Sequence, residues 1–89
     1  MQTFLVEHYR PGLDLEALQH AASLVRRAAE AMEDEGRSVR CVRLAIVPAD
    51  EGFLSLIEAS SEDAVRDAFA RAGVPFERIA VALLDGGGA

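Results

Sequence analysis

Two side chains suited to acid–base chemistry, Glu7 and His8, stand next to each other near the start of the chain. They lie in an apolar segment, residues 3–9, whose residue types are typical of a β-strand. Successive side chains of a strand point to opposite faces, so the carboxylate and the imidazole cannot share one face of a sheet. The sequence therefore predicts two separate roles, one on the core side of the strand and one on its other side.

Each of these side chains has a functional and a structural interpretation. If Glu7 and Arg43 are both shielded from water, the pair could position a small polar ligand, or Glu7 could act as a base. Alternatively, the two form an ion pair that only fixes the register of the strands or of a dimer. His8 could bind a metal ion, or it could be a strand-end histidine bonded to a backbone carbonyl. His20 should face solvent one helical turn after Glu16, as a surface metal pair or as an ordinary surface contact.

The remaining reactive side chains indicate less. Cys41 is the only cysteine, which excludes an internal disulfide; it is either a reactive thiol near Arg43 or a small buried residue. Asp50 and Glu51 could attract a hard cation, but two carboxylates fall short of a calcium site. The sequence contains no CxxC pair and no Ser–His–Asp arrangement that would indicate nucleophilic catalysis.

Six elements are expected to position these side chains. Pro11 and Gly12 form a turn after the first strand, and Gly36 and Gly73 follow two segments with helical periodicity. In order, the predicted elements are a strand at residues 3–9, a helix at 15–35, strands at 39–47 and 53–58 joined by a hairpin loop, a helix between 60 and 73, and a strand at 76–84.

The order β-α-β-β-α-β is that of the ferredoxin-like fold, an α+β architecture. Right-handed crossovers place both helices on one face of a four-stranded antiparallel sheet in which the first and third strands are central. This single domain should occupy residues 1–85, followed by a flexible glycine-rich tail at residues 86–89. The second face of the sheet has no helices, so it must meet water, a ligand or another subunit.

Alternation assigns the strand side chains to the two faces. The richer apolar set is assigned to the helices and includes His8 and Glu58 at strand ends; its other members are Phe4, Val6, Val42, Leu44, Ile46, Leu54, Leu56, Ile79, Val81 and Leu83. The open face then comprises Leu5, Glu7, Tyr9, Cys41, Arg43, Ala45, Val47, Phe53, Ser55, Ile57, Ala80 and Ala82. Monomers rarely expose so apolar a surface, and a homodimer through this face is predicted. A ligand pocket between the two layers would be lined by Glu7, Tyr9, Arg43 and Ser55.

Charge and composition exclude several classes of function. Nine basic against 15 acidic residues give a net charge of −6, the opposite of what nucleic-acid binding requires. The chain has no apolar run of ~18 residues and no recognisable signal peptide, so we expect no membrane segment. A single cysteine favours a cytoplasmic protein. A chain of 89 residues buries a limited core, so we expect the protein to be only marginally stable without a partner subunit.

Several segments, residues 3–13, 47–51, 56–66 and 72–79, resemble a family of small bacterial proteins of unassigned function, some of which bind nickel. The resemblance spans nearly the whole chain and implies a ferredoxin-like dimer with a transition-metal site. The nickel-binding members are histidine-rich, with a cysteine in the third strand and a histidine in the second helix; Ser55 and Phe69 stand near these positions here. The resemblance therefore leaves His8 and His20 as the candidate nickel ligands.

Three hypotheses about function follow. The leading one is a small, non-enzymatic dimeric protein that binds a metal ion such as nickel, or a small polar ligand, near Glu7, Tyr9, Arg43 and Ser55. The first alternative is a dimeric α+β-barrel enzyme that acts on a hydrophobic substrate in the same cleft, with Glu7 or His8 as the acid or base. The second alternative is a structural or regulatory dimerisation module.

Overall fold

The predicted order of strands and helices is present in the computed structural model, which describes residues 1–85. The elements are β1 (Gln2–Tyr9), α1 (Leu15–Asp34), β2 (Val39–Val47), β3 (Gly52–Ala59), α2 (Glu62–Ala72) and β4 (Arg78–Ala82). A short 3₁₀ helix, Pro48–Asp50, joins β2 to β3. The predicted tail at residues 86–89 lies outside the described residues.

The four strands form one sheet in the order β2-β3-β1-β4, and every neighbouring pair is antiparallel. This confirms the predicted ferredoxin-like fold with β1 and β3 at the centre. Leu5 lies between Leu56 of β3 and Ala80 of β4, which fixes the register of the central strands. The ends of β1 and β2 both meet Gly52 at the start of β3, through Tyr9 and Val47.

Both helices begin at side-chain caps. The Asp14 carboxylate accepts a hydrogen bond from the N–H of Ala17 (2.9 Å), and the Ser61 hydroxyl oxygen accepts one from the N–H of Ala64 (3.2 Å). α2 ends at Gly73, whose φ of 68° is a left-handed conformation that glycine adopts at little cost. Within residues 1–85, no helix is both long and apolar enough to cross a membrane.

The core lies between the sheet and the two helices. Phe4 and Val6 of β1 are buried there, as the alternation predicts, and His8 lies on the same side. The helices contribute a stripe of fully buried side chains to this layer: Leu18, Val25 and Met32 from α1, and Val65, Ala68 and Phe69 from α2. The buried core of the domain is therefore on one side of the sheet.

The face assignment of β3 was wrong by one residue. Phe53, Ser55 and Ile57 are buried under the helices, whereas Leu54 and Leu56 are half-buried on the open face. Both sets are apolar, so hydrophobic alternation alone does not determine which set faces the core. A one-residue shift moves every side chain to the other face, and the pairing of Ser55 with Val6 fixes the observed phase.

The face assignment of β2 was also partly wrong, because this strand contains a β-bulge. The pairing with β3 shifts between Cys41 and Arg43, so Val42 is the inserted residue. Cys41, before the bulge, packs against the core instead of the open face, and Leu44, after it, also packs against the core as predicted. Val42 itself is 36% exposed, so it does not belong to the buried helix-side set.

Candidate functional site

The imidazole of His8 is held between three parts of the chain near the end of β1. Only 3% of the residue is exposed; Nδ1 lies 3.0 Å from the carbonyl oxygen of Pro75, and Nε2 lies 2.9 Å from the Ser55 hydroxyl. A carbonyl oxygen can only accept, so Nδ1 carries the proton and donates it to Pro75. In the neutral ring Nε2 is then the acceptor, and the Ser55 hydroxyl donates to it.

Two phenylalanines enclose the same imidazole. The ring of Phe53 stacks on it with centroids 4.1 Å apart, and Phe69 meets it edge-on at 4.9 Å. Burial lowers the pKa of His8; the bond to the Pro75 carbonyl opposes this effect, and the positive charge of Arg10 adds to it. The result is a neutral histidine whose two ring nitrogens are both engaged within the protein.

Glu7 lies on the opposite side of β1, where its carboxylate meets Arg78 of β4 at 3.2 Å. The Glu7 side chain is 43% exposed and that of Arg78 is 69% exposed. Within one chain, Glu7 therefore pairs with Arg78 and not with Arg43. Arg43 is on the open face as expected, but β3 stands between its strand and β1, and Arg43 lies opposite Leu56.

A cavity of about 240 Å³ opens beside Glu7 at the end of the sheet where β1 finishes and β3 begins. It contains two of the four predicted ligand-binding residues, Glu7 and Tyr9, and neither Arg43 nor Ser55. Ser55 is excluded because it is fully buried on the helix side. The complete lining is Glu7, His8, Tyr9, Val47, Asp50, Gly52, Phe53, Leu54 and Glu77.

Loops that are distant in sequence add Asp50 and Glu77 to this cavity. The backbone N–H of Glu77 donates to the carbonyl oxygen of Glu7 (2.8 Å), which attaches the α2–β4 loop to β1. On the other side, the N–H of Arg10 donates to the carbonyl oxygen of Glu51 (2.7 Å). Asp50 was recognised in the sequence as a cation candidate, but no local signal placed Glu77 near Glu7.

Gly52 makes the close approach of β3 to β1 possible at this point. A Cβ at position 52 would overlap the carbonyl oxygen of His8. Only glycine leaves room for the two paired backbones to lie this close, and Gly52 is itself one of the residues that line the cavity.

The described residues do not form a transition-metal site within one chain. No group of three or more His, Cys, Asp or Glu side chains in residues 1–85 is arranged to hold a metal ion. His20 is exposed on α1, whereas His8 is buried beneath the helices. Burial raises the pKa of the Cys41 thiol, which disfavours the thiolate that a soft metal prefers.

The fold and this site define a class of small α+β proteins with helices on one face of the sheet and an open second face. The model of the family described as "Nickel responsive protein SCO4226-like" matches residues 4–81, and the chain belongs to this family. This confirms the resemblance recognised in the sequence.

A solved member of this class is similar over almost its whole length. The crystal structure of SCO4226 from Streptomyces coelicolor A3(2) shares 26% sequence identity with the chain, with a TM-score of 0.71. The similarity covers 94% of this chain and 99% of that one. No curated protein matches the sequence.

Proposed function

We propose that this protein is a small, non-enzymatic binding protein that forms a homodimer through its open sheet face and binds a small polar ligand in the cavity beside Glu7 and Tyr9. The observation that supports it best is the position of that cavity. Glu7, Tyr9 and Leu54, which line it, belong to the open face, so a second subunit on that face would lie beside the cavity.

The chemistry of the open face favours a second copy of the chain. Leu5, Leu54 and Leu56 lie next to each other in the central strands and are only half-buried. An apolar sheet surface of this kind is costly to expose, and two-fold dimers are the commonest way for proteins to cover one. Arg43 and the ion pair of Glu58 with Arg40 (3.8 Å) would flank the contact as polar groups.

The lining of the cavity favours binding over catalysis. Apolar walls from Val47 and Leu54 surround a few polar groups, which is the usual composition of a small-ligand site. Of the two candidate bases, His8 already uses both ring nitrogens, and Glu7 is a half-exposed carboxylate with no acid or base other than Arg78 bonded to it in the described residues. The predicted α+β-barrel enzyme therefore ranks below a binding protein in this proposal.

Nickel is the second candidate ligand, and family membership is what supports it. Within residues 1–85 of one chain, no three metal-ligating side chains are grouped closely enough to hold a nickel ion. A metal ion bound at Nε2 of His8 would also have to displace the Ser55 hydroxyl from that nitrogen. With either ligand, the single cysteine supports a cytoplasmic location of the protein.

Sedimentation of the untagged full chain tests the dimer. We expect a dimer at micromolar concentration and a monomer for Leu56→Arg, which places a charge in the apolar face. Ala31→Arg, on the exposed side of α1, is the control and should remain dimeric. A monomeric wild-type protein would exclude this interface.

Metal analysis of the purified chain, followed by calorimetric titration with nickel, tests the second ligand. If the wild type binds stoichiometric nickel, and this binding is lost in His8→Ala but kept in His20→Ala, the ligand is a metal ion at His8 and the proposal of a small polar ligand is wrong. Absence of bound nickel and of binding heat would leave the polar-ligand proposal as stated.

A further inference from the structure

We infer that the cavity at the end of β1 binds a small organic cation that carries guanidinium or ammonium groups, in competition with the side chain of Arg78. This inference rests on the proposed binding function and specifies the class of ligand. The cavity is smaller than the ~300 Å³ at the low end of drug-sized sites, so the ligand must be small.

The charges of the lining favour a cation. Three acidic residues, Glu7, Asp50 and Glu77, line it, and no arginine of residues 1–85 does. His8 adds no positive charge because its imidazole is buried and bonded to Ser55 and the Pro75 carbonyl as a neutral ring. The net charge of −6 on the chain adds long-range attraction for a positive ligand.

The arrangement of these carboxylates favours an organic cation over a metal ion. They line one cavity, yet they are not grouped closely enough to coordinate a single ion. A cation whose charge and N–H donors are spread over several atoms can reach separated carboxylates, whereas a metal ion requires ligands within about 2–2.6 Å of one point.

The apolar part of the lining suits the body of such a molecule. Tyr9 is 51% exposed and lines the cavity together with Val47 and Leu54. An aromatic face attracts a cation, and the aliphatic walls shield methylene groups from water. A hydrated metal ion would gain little from any of these three side chains.

Arg78 shows that Glu7 accepts a guanidinium. Its Nη1 lies 3.2 Å from Glu7 Oε2, and the long arginine side chain remains 69% exposed. An exposed ion pair of this kind is held weakly and opens readily. A ligand with its own guanidinium can therefore take the place of Arg78 on Glu7 without disturbing the core.

Calorimetric titration of the full chain with agmatine, which has a guanidinium at one end and an ammonium at the other, tests this inference. We expect saturable binding that weakens with added salt, and no binding of uncharged 1,5-pentanediol. Glu7→Gln should weaken binding by about tenfold or more, because a charge-assisted hydrogen bond is lost. Arg78→Gln should strengthen binding, because it removes the internal competitor.

Matched controls use the ion pair of Glu62 with Arg66 on α2, which is similarly exposed (2.8 Å). Glu62→Gln and Arg66→Gln should leave agmatine affinity unchanged, and circular dichroism verifies that each variant is folded. No binding of agmatine to the wild type, or equal binding to wild type and Glu7→Gln, would overturn the inference.

The two proposals fail in different ways. Binding of 1,5-pentanediol or of nickel in place of agmatine, with loss in Tyr9→Ala, would reject only the cationic ligand class. A monomeric chain that binds none of the three probes would reject the proposed function as well.

Discussion

His8 and Glu7 are neighbours in sequence, but their environments on the two sides of β1 differ in every physical respect. The imidazole is 3% exposed, stacked on Phe53 and bonded at both nitrogens to fixed partners. The carboxylate is half-exposed and pairs with a flexible, exposed Arg78 beside a cavity. The difference indicates that the polar residue on the core side is fixed by buried partners, whereas the one on the open face has only an exposed partner, on which the proposed ligand site depends.

Replacement of His8 by alanine should produce the largest difference between the two regions. We expect His8→Ala to lower the free energy of unfolding by about 3 kcal/mol, because it leaves a hole between two phenylalanines and removes the hydrogen-bond partner of the fully buried Ser55 hydroxyl and of the Pro75 carbonyl. Glu7→Ala should cost less than about 1 kcal/mol, since it removes only an exposed ion pair. Urea unfolding of both variants measures the contrast, and equal losses would contradict the distinction.

Gly52 lies where β3 comes close to the backbone of His8, and it also lines the cavity beside Glu7. A Cβ at this position should therefore affect both regions. Gly52→Ala should lower the free energy of unfolding by about 2–3 kcal/mol, because the new atom overlaps the His8 carbonyl and pushes β3 away from β1. Gly36→Ala is the control: its φ of 85° is strained for alanine but no atom lies near its Cβ, so about 1 kcal/mol is expected. Similar losses in both variants would show that the close approach is unimportant.

The hydrogen bond from Ser55 to His8 offers a finer test of the buried side. Ser55→Ala should lower the free energy of unfolding by about 1–2 kcal/mol, because Nε2 of His8 loses its donor in a fully buried site. Ser60→Ala, at an exposed position beyond the end of β3, should have almost no effect. Agmatine binding should be unchanged in Ser55→Ala, because Ser55 does not line the cavity.

Stability should also depend on pH through His8. Burial lowers the pKa of the folded histidine below the ordinary value of 6.5, so below that pH the unfolded chain binds a proton that the folded chain does not. The His8 contribution is therefore fully present above pH 6.5 and is lost as the pH falls from 6.5 toward the folded pKa. Subtracting the pH profile of His8→Gln from that of the wild type isolates this loss, and parallel profiles would show that His8 does not titrate differently on folding.

The fold was predictable because local signals agreed with one another. The caps at Asp14 and Ser61, the stop at Gly73 and the alternation in β1 each specify an element boundary or a face without reference to distant residues. In β1 the side with Phe4, Val6 and His8 was assigned to the core and the side with Leu5, Glu7 and Tyr9 to the open face, and the burial pattern agrees with this assignment.

The site was only partly predictable, for two physical reasons. In β3 both alternating sets are apolar, so the phase depended on pairing with β1, and Ser55 was assigned to the wrong face. The Val42 bulge then moved Cys41 to the core side of β2. Partners across the sheet also depend on strand order, which is why Arg78 and not Arg43 reaches Glu7.

The sequence by itself determined the order of elements, the family resemblance, and the separation of Glu7 from His8 on opposite faces of a central strand. These features depend on local periodicity and on residue types at caps and turns. Only the tertiary structure decided that Ser55 bonds to His8 and that Asp50 and Glu77 join Glu7 and Tyr9 around one cavity. Such contacts join residues far apart in the chain, and they depend on strand register and backbone approach, which no local pattern specifies.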